Sequence, residues 1–344
     1  MSVSPSATAP SRSAICGISA ARLRTSGRCS ACSSAPRRLA GPPGHPRRYL
    51  LHPARRLWHH AAPAAAGTRP AEVWAPTEER PKAVVLALHG FNDYRNAFAD
   101  FATFAAARGV RVEAFDQQGF GANPNRGLWP GSDALARDLA RRLAELRRDW
   151  PGTPLYLLGE SMGAAVAVVA LGQGLPPVDG VILVSPAVWG DTSFNGFYRL
   201  VLELAAGMAP GWTLTGRGLG VRASDNDAAL IAMGRDPMLI KETRLDAIAG
   251  LVRLMDEARL DAGKLDVPVL ILMGEHDEII PPEAIRSFAG LVDPAICHAI
   301  AYEEGWHLLL RDLQAETVWR DILAWIEGDT AASADWRCQA ERGQ

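Results

Sequence analysis

One pentapeptide, Gly-Glu-Ser-Met-Gly at residues 159–163, constrains the fold of this chain more than any other feature. An apolar, strand-like run precedes it at residues 155–158, and an alanine- and valine-rich run typical of a buried helix follows at residues 164–170. A serine on such a sharp strand-to-helix turn adopts a strained backbone conformation that only small neighbours tolerate. Gly159 and Gly163 provide that room, so the pattern predicts that Ser161 projects from the end of a sheet as a nucleophile.

The same pentapeptide also fits an ordinary glycine-rich turn, so this interpretation depends on an acid and a base further along the chain. A second apolar run, typical of a buried parallel strand, covers residues 267–273. Asp277 follows its carboxyl end within the sequence Gly-Glu-His-Asp-Glu, and we take Asp277 as the acid. Glu275 and Glu278 remain the alternatives, and His276 is interpreted as a loop residue.

The candidate base is His307, which follows a glycine on the loop after the last predicted strand, Cys297–Tyr302. Of the eight histidines in the chain, four lie before residue 61 and His298 lies within a strand. Ser161, Asp277 and His307 therefore occur in the order nucleophile, acid, base, each just after a predicted strand. That order and position predict a Ser-Asp-His catalytic triad.

A serine nucleophile also needs two hydrogen-bond donors for the oxyanion of its tetrahedral intermediate. The backbone N–H of Met162, the residue after the nucleophile, is the first predicted donor. The second is expected on the loop after the third strand of the fold, which we assign to residues 83–88, and we choose the N–H of Phe91. Gly90 allows a close backbone approach there, and His89 is interpreted as a residue that orients the loop and not as a second base.

From Glu72 onward, predicted strands and helices alternate, which predicts an α/β fold: a mostly parallel sheet with helices on both faces. The alternation stops between residues 186 and 265, a segment that we call the insertion, and that is too long for an ordinary loop. Helices are expected there at residues 197–208, 228–234 and 241–258, forming a helical cap over the site. The first of them carries an apolar stripe consisting of Phe197, Leu200, Val201, Leu204 and Ala205. Packing on the core is the interpretation we favour for this stripe, and peripheral membrane contact through the cap remains an alternative.

The charge is distributed unevenly along the chain. Residues 1–71 hold eleven arginines and no Asp, Glu or Lys, which leaves 25 basic and 38 acidic residues after them. This Arg-, Ser- and Pro-rich extension lacks hydrophobic periodicity and is predicted to be disordered. It resembles an organellar transit peptide, and a start codon placed too far upstream is the competing interpretation. A nucleic-acid-binding arm is the weakest interpretation, because aromatic residues are not interleaved with the arginines, so no nucleic-acid partner is predicted. The predicted domains are thus the extension at 1–71, the α/β domain at 72–328 and a polar tail at 329–344.

The five cysteines do not form a disulfide framework for a chain of this length. Cys29 and Cys32 have the spacing of a metal knuckle but lack a second pair, so no metal site is predicted. No dinucleotide-binding glycine pattern follows the first strand, and no cofactor is predicted.

We find no apolar stretch of the length of a signal or transmembrane segment. The sequence leaves localisation open between cytoplasmic and peripheral membrane, and leaves the oligomeric state open.

Taken together, these segments resemble the alpha/beta-hydrolase superfamily, and within it the monoacylglycerol lipase and lysophospholipase-like (serine aminopeptidase-type) group. The resemblance covers about residues 82–327. One segment departs from the family pattern Asp-x-Arg-Gly-His-Gly: this chain keeps Asp116, Gly119 and Gly121 but has Gln118 and Phe120 in place of the arginine and the histidine. The segments that carry the resemblance are residues 89–91, 116–121, 159–163, 274–277 and 306–312.

The resemblance implies a serine hydrolase that cleaves carboxylic esters, with monoacylglycerol or lysophospholipid-type lipids as substrates. An acyltransferase or a serine-aminopeptidase-like peptidase would share every catalytic residue, so these remain alternatives. A non-catalytic ligand-binding member of the fold is the third, and it is disfavoured because all three triad candidates are present.

Overall fold

The computed structural model describes residues 71–189, 196–216, 220–328 and 335–338, with only the backbone at 196–199 and 335–337. The predicted N-terminal extension therefore lies outside the described residues, apart from Ala71. A single sheet of eight strands organises the part of the chain that is described, in the order β1-β3-β2-β4-β5-β8-β9-β10. The strands of this sheet are β1 Ala71–Trp74, β2 Ala83–Leu88, β3 Val110–Phe115, β4 Leu155–Glu160, β5 Gly180–Val184, β8 Val269–Gly274, β9 Cys297–Tyr302 and β10 Asp335–Arg337.

The six central strands, from β3 to β9, are parallel, and the edge strands β1 and β10 are antiparallel to their neighbours. Every residue of β2, β5 and β8 is buried, which explains why these strands are continuously apolar in sequence. Because all parallel strands end at the same edge, the loops that follow them meet there. The strand β2, which we assigned as the third strand of the fold, is second along the described chain and third across the sheet.

Helices cover both faces of the sheet, as the alternation predicts. They are α1 Ala99–Ala106, α2 Ser132–Asp149, α3 Met162–Gly172, α7 Pro282–Ala289 and α8 Ala315–Ile326. On one face, Leu139 of α2 and Phe288 of α7 share a core with Leu86 of β2. On the other, Phe101 of α1 and Ile322 of α8 pack with Val85, whose side chain alternates with that of Leu86 across the pleat.

The insertion between β5 and β8 contains α4 Gly196–Met208, β6 Thr213–Thr215, α5 Asp227–Arg235, β7 Glu242–Arg244 and α6 Leu245–Asp261. The helix predicted at 241–258 thus begins as a strand, because β7 pairs antiparallel with β6, with Thr243 opposite Leu214. Two buried residues of α6, Leu254 and Met255, belong to the main core alongside α3. The last part of the predicted cap is therefore integral to the α/β domain.

Three of the five residues in the apolar stripe predicted on α4 do not pack on the core. Leu200, Val201 and Leu204 are about half exposed, at 57%, 46% and 55%. Instead, Leu202 and Ala205 contact the buried residues Leu245 and Ala249 of α6. Burial within the domain therefore does not explain why the solvent-facing side of α4 is apolar.

The carboxyl-terminal region holds one structural element that the sequence did not predict. Residues 335–337, assigned above to a polar tail, form β10 on the edge of the sheet beside β9. Cys338, directly after β10, is 2% exposed and forms a disulfide with Cys297. This bond joins two residues 41 positions apart, although the cysteines of the chain predicted no disulfide framework. Within the described residues, no helix is both long enough and apolar enough to cross a membrane.

Candidate active site

Ser161 lies at the turn between β4 and α3, in a conformation that L-residues rarely adopt. Its φ of 53° and ψ of −114° place it in the strained region expected for a nucleophile elbow. A Cβ at Gly159 would come within 2.4 Å of the Ala164 nitrogen, and one at Gly163 within 2.0 Å of the Leu88 carbonyl oxygen. Both glycines are thus required sterically, for the reason that the sequence indicated.

A chain of two hydrogen bonds joins the three residues predicted as a triad. The Ser161 hydroxyl lies 3.0 Å from Nε2 of His307, and Nδ1 of His307 lies 2.8 Å from Oδ2 of Asp277. Asp277 and His307 are 5% and 4% exposed. In the tautomer whose Nδ1–H donates a hydrogen bond to the carboxylate, Nε2 carries no proton and faces the serine hydroxyl. This is the tautomer of His307 that can accept the proton of Ser161.

The loops that carry Asp277 and His307 are brought together by a pair of glycines. A Cβ at Gly274 would lie 2.4 Å from the Gly305 carbonyl carbon, and a Cβ at Gly305 would lie 2.9 Å from the Gly274 Cα. The N–H of His276 donates to the Gly305 carbonyl at 2.9 Å, which links the two loops further. The other oxygen of Asp277 accepts the N–H groups of Ile279 and Ile280, so the carboxylate is held at both ends.

The alternative acids have other partners. Glu275 is ion-paired with Arg286 of α7, and Oε2 of Glu278 accepts the N–H of Arg222 at 2.6 Å. His276 is half exposed, and its ring lies 5.5 Å from the ring of Trp306. Asp277 is therefore the acidic side chain that the structure brings to His307.

The loop after β2 carries the predicted donor Phe91, and it is held by His89. The His89 side chain donates from Nδ1 to the Gly90 carbonyl at 2.8 Å, and its Nε2 accepts the N–H of Gln117 at 3.0 Å. The Gln117 side chain donates in turn to the His89 carbonyl. Burial lowers the pKa of His89, against the opposing effects of the Gly90 hydrogen bond and the nearby carboxylates. A neutral His89 thus fits both of its hydrogen bonds.

Phe120 occupies the position where the family pattern has histidine, and it has a packing role here. Its ring meets those of His89 and Phe91 edge-on, with centroids 5.6 and 5.7 Å apart, and Phe91 also contacts Trp129. Phe120 is 3% exposed. The departure from the family pattern therefore replaces a polar residue with an aromatic one that packs against the loop of Phe91.

A buried ion-pair group next to the three candidates was not predicted from the sequence. Arg311 donates from Nη1 to Oδ2 of Asp93 and from Nη2 to Oε2 of Glu160, each at 2.8 Å. Burial raises the pKa of Glu160, and Arg311 opposes that shift. Arg311 is four residues after His307 and Glu160 directly precedes Ser161, so this group links three strand-end loops. A signal was present in the sequence, since Arg311 interrupts an apolar run and Glu160 ends one.

Met162 is the first residue of α3. Its N–H is one of the donors at a helix N-terminus that have no acceptor within the helix. Gly90, directly before Phe91, lies beside the nucleophile, because a Cβ on Gly90 would be 3.5 Å from Cβ of Ser161. Met162 therefore adjoins Ser161 in sequence, and Phe91 directly follows a glycine that lies beside Ser161 in space.

Comparison with known proteins gives one family and a consistent set of relatives. Residues 79–314 match the model of a hydrolase family described as serine aminopeptidase, S33. The chain is 26% identical to human monoglyceride lipase over 269 residues, which are 76% of this chain and 87% of that one. It is 25% identical to the monoacylglycerol lipase of Mycolicibacterium smegmatis, covering 74% of this chain and 91% of the relative.

Solved structures agree on the fold. The crystal structure of Paleococcus ferrophilus monoacylglycerol lipase superimposes with a TM-score of 0.66 at 20% identity, over 76% of this chain and 99% of that one. A soluble variant of monoglyceride lipase from Saccharomyces cerevisiae, solved with a substrate analogue, gives the same TM-score at 21% identity, over 76% and 92%. The predicted α/β-hydrolase fold is thus confirmed.

Proposed function

Because this chain belongs to the serine aminopeptidase, S33 family of α/β-hydrolases, we propose that it cleaves carboxylic esters through a Ser161-Asp277-His307 triad and an acyl-enzyme. The observation that carries the proposal is the pair of hydrogen bonds, 3.0 Å from Ser161 to His307 and 2.8 Å from His307 to Asp277. These join three strand-end loops that are far apart in sequence. Relatives named as monoglyceride lipases support an ester substrate.

In the first half of the reaction, Oγ of Ser161 attacks the ester carbonyl carbon while its proton passes to Nε2 of His307. Asp277 keeps the imidazole in the accepting tautomer and stabilises the imidazolium that forms. The N–H groups of Phe91 and Met162 stabilise the oxyanion of the tetrahedral intermediate. The intermediate collapses when the ester C–O bond breaks, and His307 gives its proton to the departing alcohol.

The second half repeats these steps with water in place of serine. His307 takes a proton from the water as the water attacks the acyl carbon, and then returns a proton to Oγ of Ser161 as the carboxylic acid leaves. An alcohol taking the place of water would make the same site an acyltransferase. The ratio of free carboxylic acid to glycerol ester, measured with glycerol present as the acceptor alcohol, distinguishes hydrolysis from acyl transfer.

For the substrate we propose monoacylglycerols or lysophospholipid-type lipids. The exposed apolar residues of the insertion support a lipid-like substrate and contact with a lipid surface: Leu200, Leu204, Met208, Trp212 and Leu214 are 53% to 81% exposed. Leu200, Leu204 and Met208 follow one another at four-residue spacing along one side of α4, and such an exposed apolar stripe is unusual on a surface that meets only water. Co-sedimentation with phosphatidylcholine vesicles, compared for the wild type and Met208→Asp/Trp212→Asp, tests this contact, and equal binding by both proteins would contradict it.

The central experiment combines a covalent probe with a panel of substrates. A fluorophosphonate should label the wild type at Ser161, and Ser161→Ala should abolish both the labelling and ester hydrolysis. Ser287→Ala, which changes an exposed serine bonded to Arg259, is the matched control and should behave as the wild type. Undiminished ester turnover by Ser161→Ala would contradict the proposed function.

The substrate panel contains p-nitrophenyl esters of graded length, a monoacylglycerol, a lysophospholipid and an aminoacyl p-nitroanilide. If an apolar acyl site is present, each added methylene buries more surface, at about 0.8 kcal/mol per group, and kcat/KM rises until the site is full. A flat or falling profile would argue against lipid esters. Preferential cleavage of the anilide would instead favour the peptidase alternative.

A further inference from the structure

The loop of Phe91 is anchored on the insertion by the residue that follows Phe91. The side chain of Asn92 donates from Nδ2 to the Thr243 hydroxyl at 2.7 Å, and the Asn92 carbonyl accepts the N–H of Ile240 at 3.0 Å. Asn92 has a φ of 64°, in the left-handed region that only glycine and asparagine adopt readily. Both the side chain and the main chain of Asn92 are therefore bound to the same short segment of the insertion.

A second tie lies two residues further along. The Tyr94 hydroxyl donates to Oδ2 of Asp236 at 2.7 Å. Burial, and after it the hydrogen bond to Asp236, raises the pKa of Tyr94 to about 12, so the phenol is protonated and available as the donor at neutral pH. Arg126 holds the same segment of the insertion through the carbonyls of Pro237 and Leu239. The segment at residues 236–243 is thus fastened to the core around the loop that carries Phe91.

Thr243 in turn belongs to a small ladder that reaches the exposed apolar part of the insertion. It pairs with Leu214 across β6 and β7, and Leu214 is 53% exposed. The Leu245 N–H donates to the Trp212 carbonyl at 2.8 Å, and Trp212 is 72% exposed. The antiparallel pairing of β6 with β7 therefore connects the strand that carries Leu214 to Thr243, which binds Asn92 next to Phe91.

We propose that Asn92 is a positioning residue for the oxyanion hole: its bonds to Thr243 and Ile240 orient the peptide that carries the Phe91 N–H, so that the donor depends on the insertion being seated. This inference rests on the proposed function. The peptide N–H of Phe91 is one residue away from the anchored φ of Asn92, so a rotation of the loop there re-aims the donor. Oxyanion donors act through their alignment with a developing charge, and a misaligned donor loses most of its effect.

The test compares Thr243→Val, which removes the acceptor of the Asn92 side chain, with Thr243→Ser, which keeps it. Thr213→Val is the matched control, because it makes the same change at an exposed threonine of the partner strand β6. The readouts are kcat and KM for a p-nitrophenyl ester and Ki for a trifluoromethyl ketone, whose adduct with serine carries an oxyanion. A purely structural role would lower the melting temperature without changing Ki relative to KM.

We expect Thr243→Val to lower kcat and raise Ki by the same factor, about 10- to 100-fold, with KM nearly unchanged. Thr243→Ser and Thr213→Val should match the wild type. If Thr243→Val does not fold, Asn92→Gly carries the test, since glycine adopts the same φ and leaves β7 intact. Unchanged kcat and Ki in a folded variant would overturn this inference and leave the proposed function intact, provided that turnover by the wild type depends on Ser161. Turnover that survives Ser161→Ala would instead overturn the proposed function itself.

Discussion

Arg311 and Glu160 form a buried ion pair of 2.8 Å that joins the loop of His307 to the residue directly before Ser161. The side chain of Glu160 is 1% exposed and that of Arg311 is 13% exposed. The second branch of the guanidinium binds Asp93, two residues after Phe91. A single side chain therefore sets the spacing of three strand-end loops, each of which carries part of the candidate site.

Replacing Arg311 by methionine should destabilise the protein and impair turnover together. Two buried carboxylates would lose their counter-charge, which typically costs about 3 to 5 kcal/mol in free energy of unfolding. Arg311→Lys keeps the charge but not the two-branched geometry, so we expect a smaller loss of stability with a clear fall in kcat. Urea unfolding and kcat on a short ester measure the two effects.

The control for this prediction is Arg320→Met, which breaks the exposed pair of Arg320 with Glu316 on α8. An exposed pair of this kind contributes about 0.3 to 0.5 kcal/mol, so the variant should behave almost as the wild type. Equal unfolding free energies for Arg311→Met and Arg320→Met would contradict the role assigned to Arg311.

Asp277→Asn should lower kcat by about 10⁴-fold, because the amide would hold His307 in the wrong tautomer. Glu275→Gln and Glu278→Gln should have weak effects, since their carboxylates bind Arg286 and the Arg222 N–H instead of His307. Steady-state kinetics on one ester for the three variants compares them directly. A glutamate variant more damaging than Asp277→Asn would mean that the acid is misassigned.

His89 should make the free energy of unfolding depend on pH. Its folded pKa is lowered by burial from the ordinary 6.5. As the pH falls below about 6.5, His89 of the unfolded chain therefore binds a proton while His89 of the folded protein does not. The free energy of unfolding should decrease over this range, down to the folded pKa, by at most about 1.4 kcal/mol per pH unit. The free energy of unfolding of His89→Gln, measured by urea at pH 7.5, 6.5 and 5.5, should fall less than that of the wild type; parallel profiles would contradict the assignment.

The disulfide between Cys297 and Cys338 should stabilise the fold without taking part in turnover. For a bond that closes a loop of 41 residues, we expect Cys338→Ala to lose about 2 to 4 kcal/mol of unfolding free energy. Activity should persist, because Cys297 begins β9 and His307 follows the opposite end of that strand. Dithiothreitol should shift the urea midpoint of the wild type toward that of the variant and leave the variant unchanged; no shift in the wild type would argue against the bond.

Sequence reasoning succeeded where a local pattern has one structural outcome. The apolar runs before Ser161 and Asp277 predicted buried parallel strands, and the structure places β4 and β8 there. Because parallel strands end at one edge of a sheet, residue order alone was enough to bring Ser161, Asp277 and His307 together. It failed for β7, predicted as the start of a helix, because Thr243 is held by pairing with Leu214, which no local pattern contains.

The sequence by itself therefore determined the α/β fold with its mostly parallel sheet, the elbow at Ser161 and the identity of the candidate triad, since periodicity, steric room and order along the chain can be read from the sequence, and the motif segments added the resemblance to the α/β-hydrolases. Tertiary structure alone decided which charges meet: Arg311 reaches Glu160 across 151 positions and Asp93 across 218. It also decided that Asn92 binds Thr243 and that Cys297 binds Cys338. Contacts of this kind depend on how the loops and edge strands are placed by the whole packed sheet, and the energy of a buried charge or a shared hydrogen bond is defined only once that packing exists.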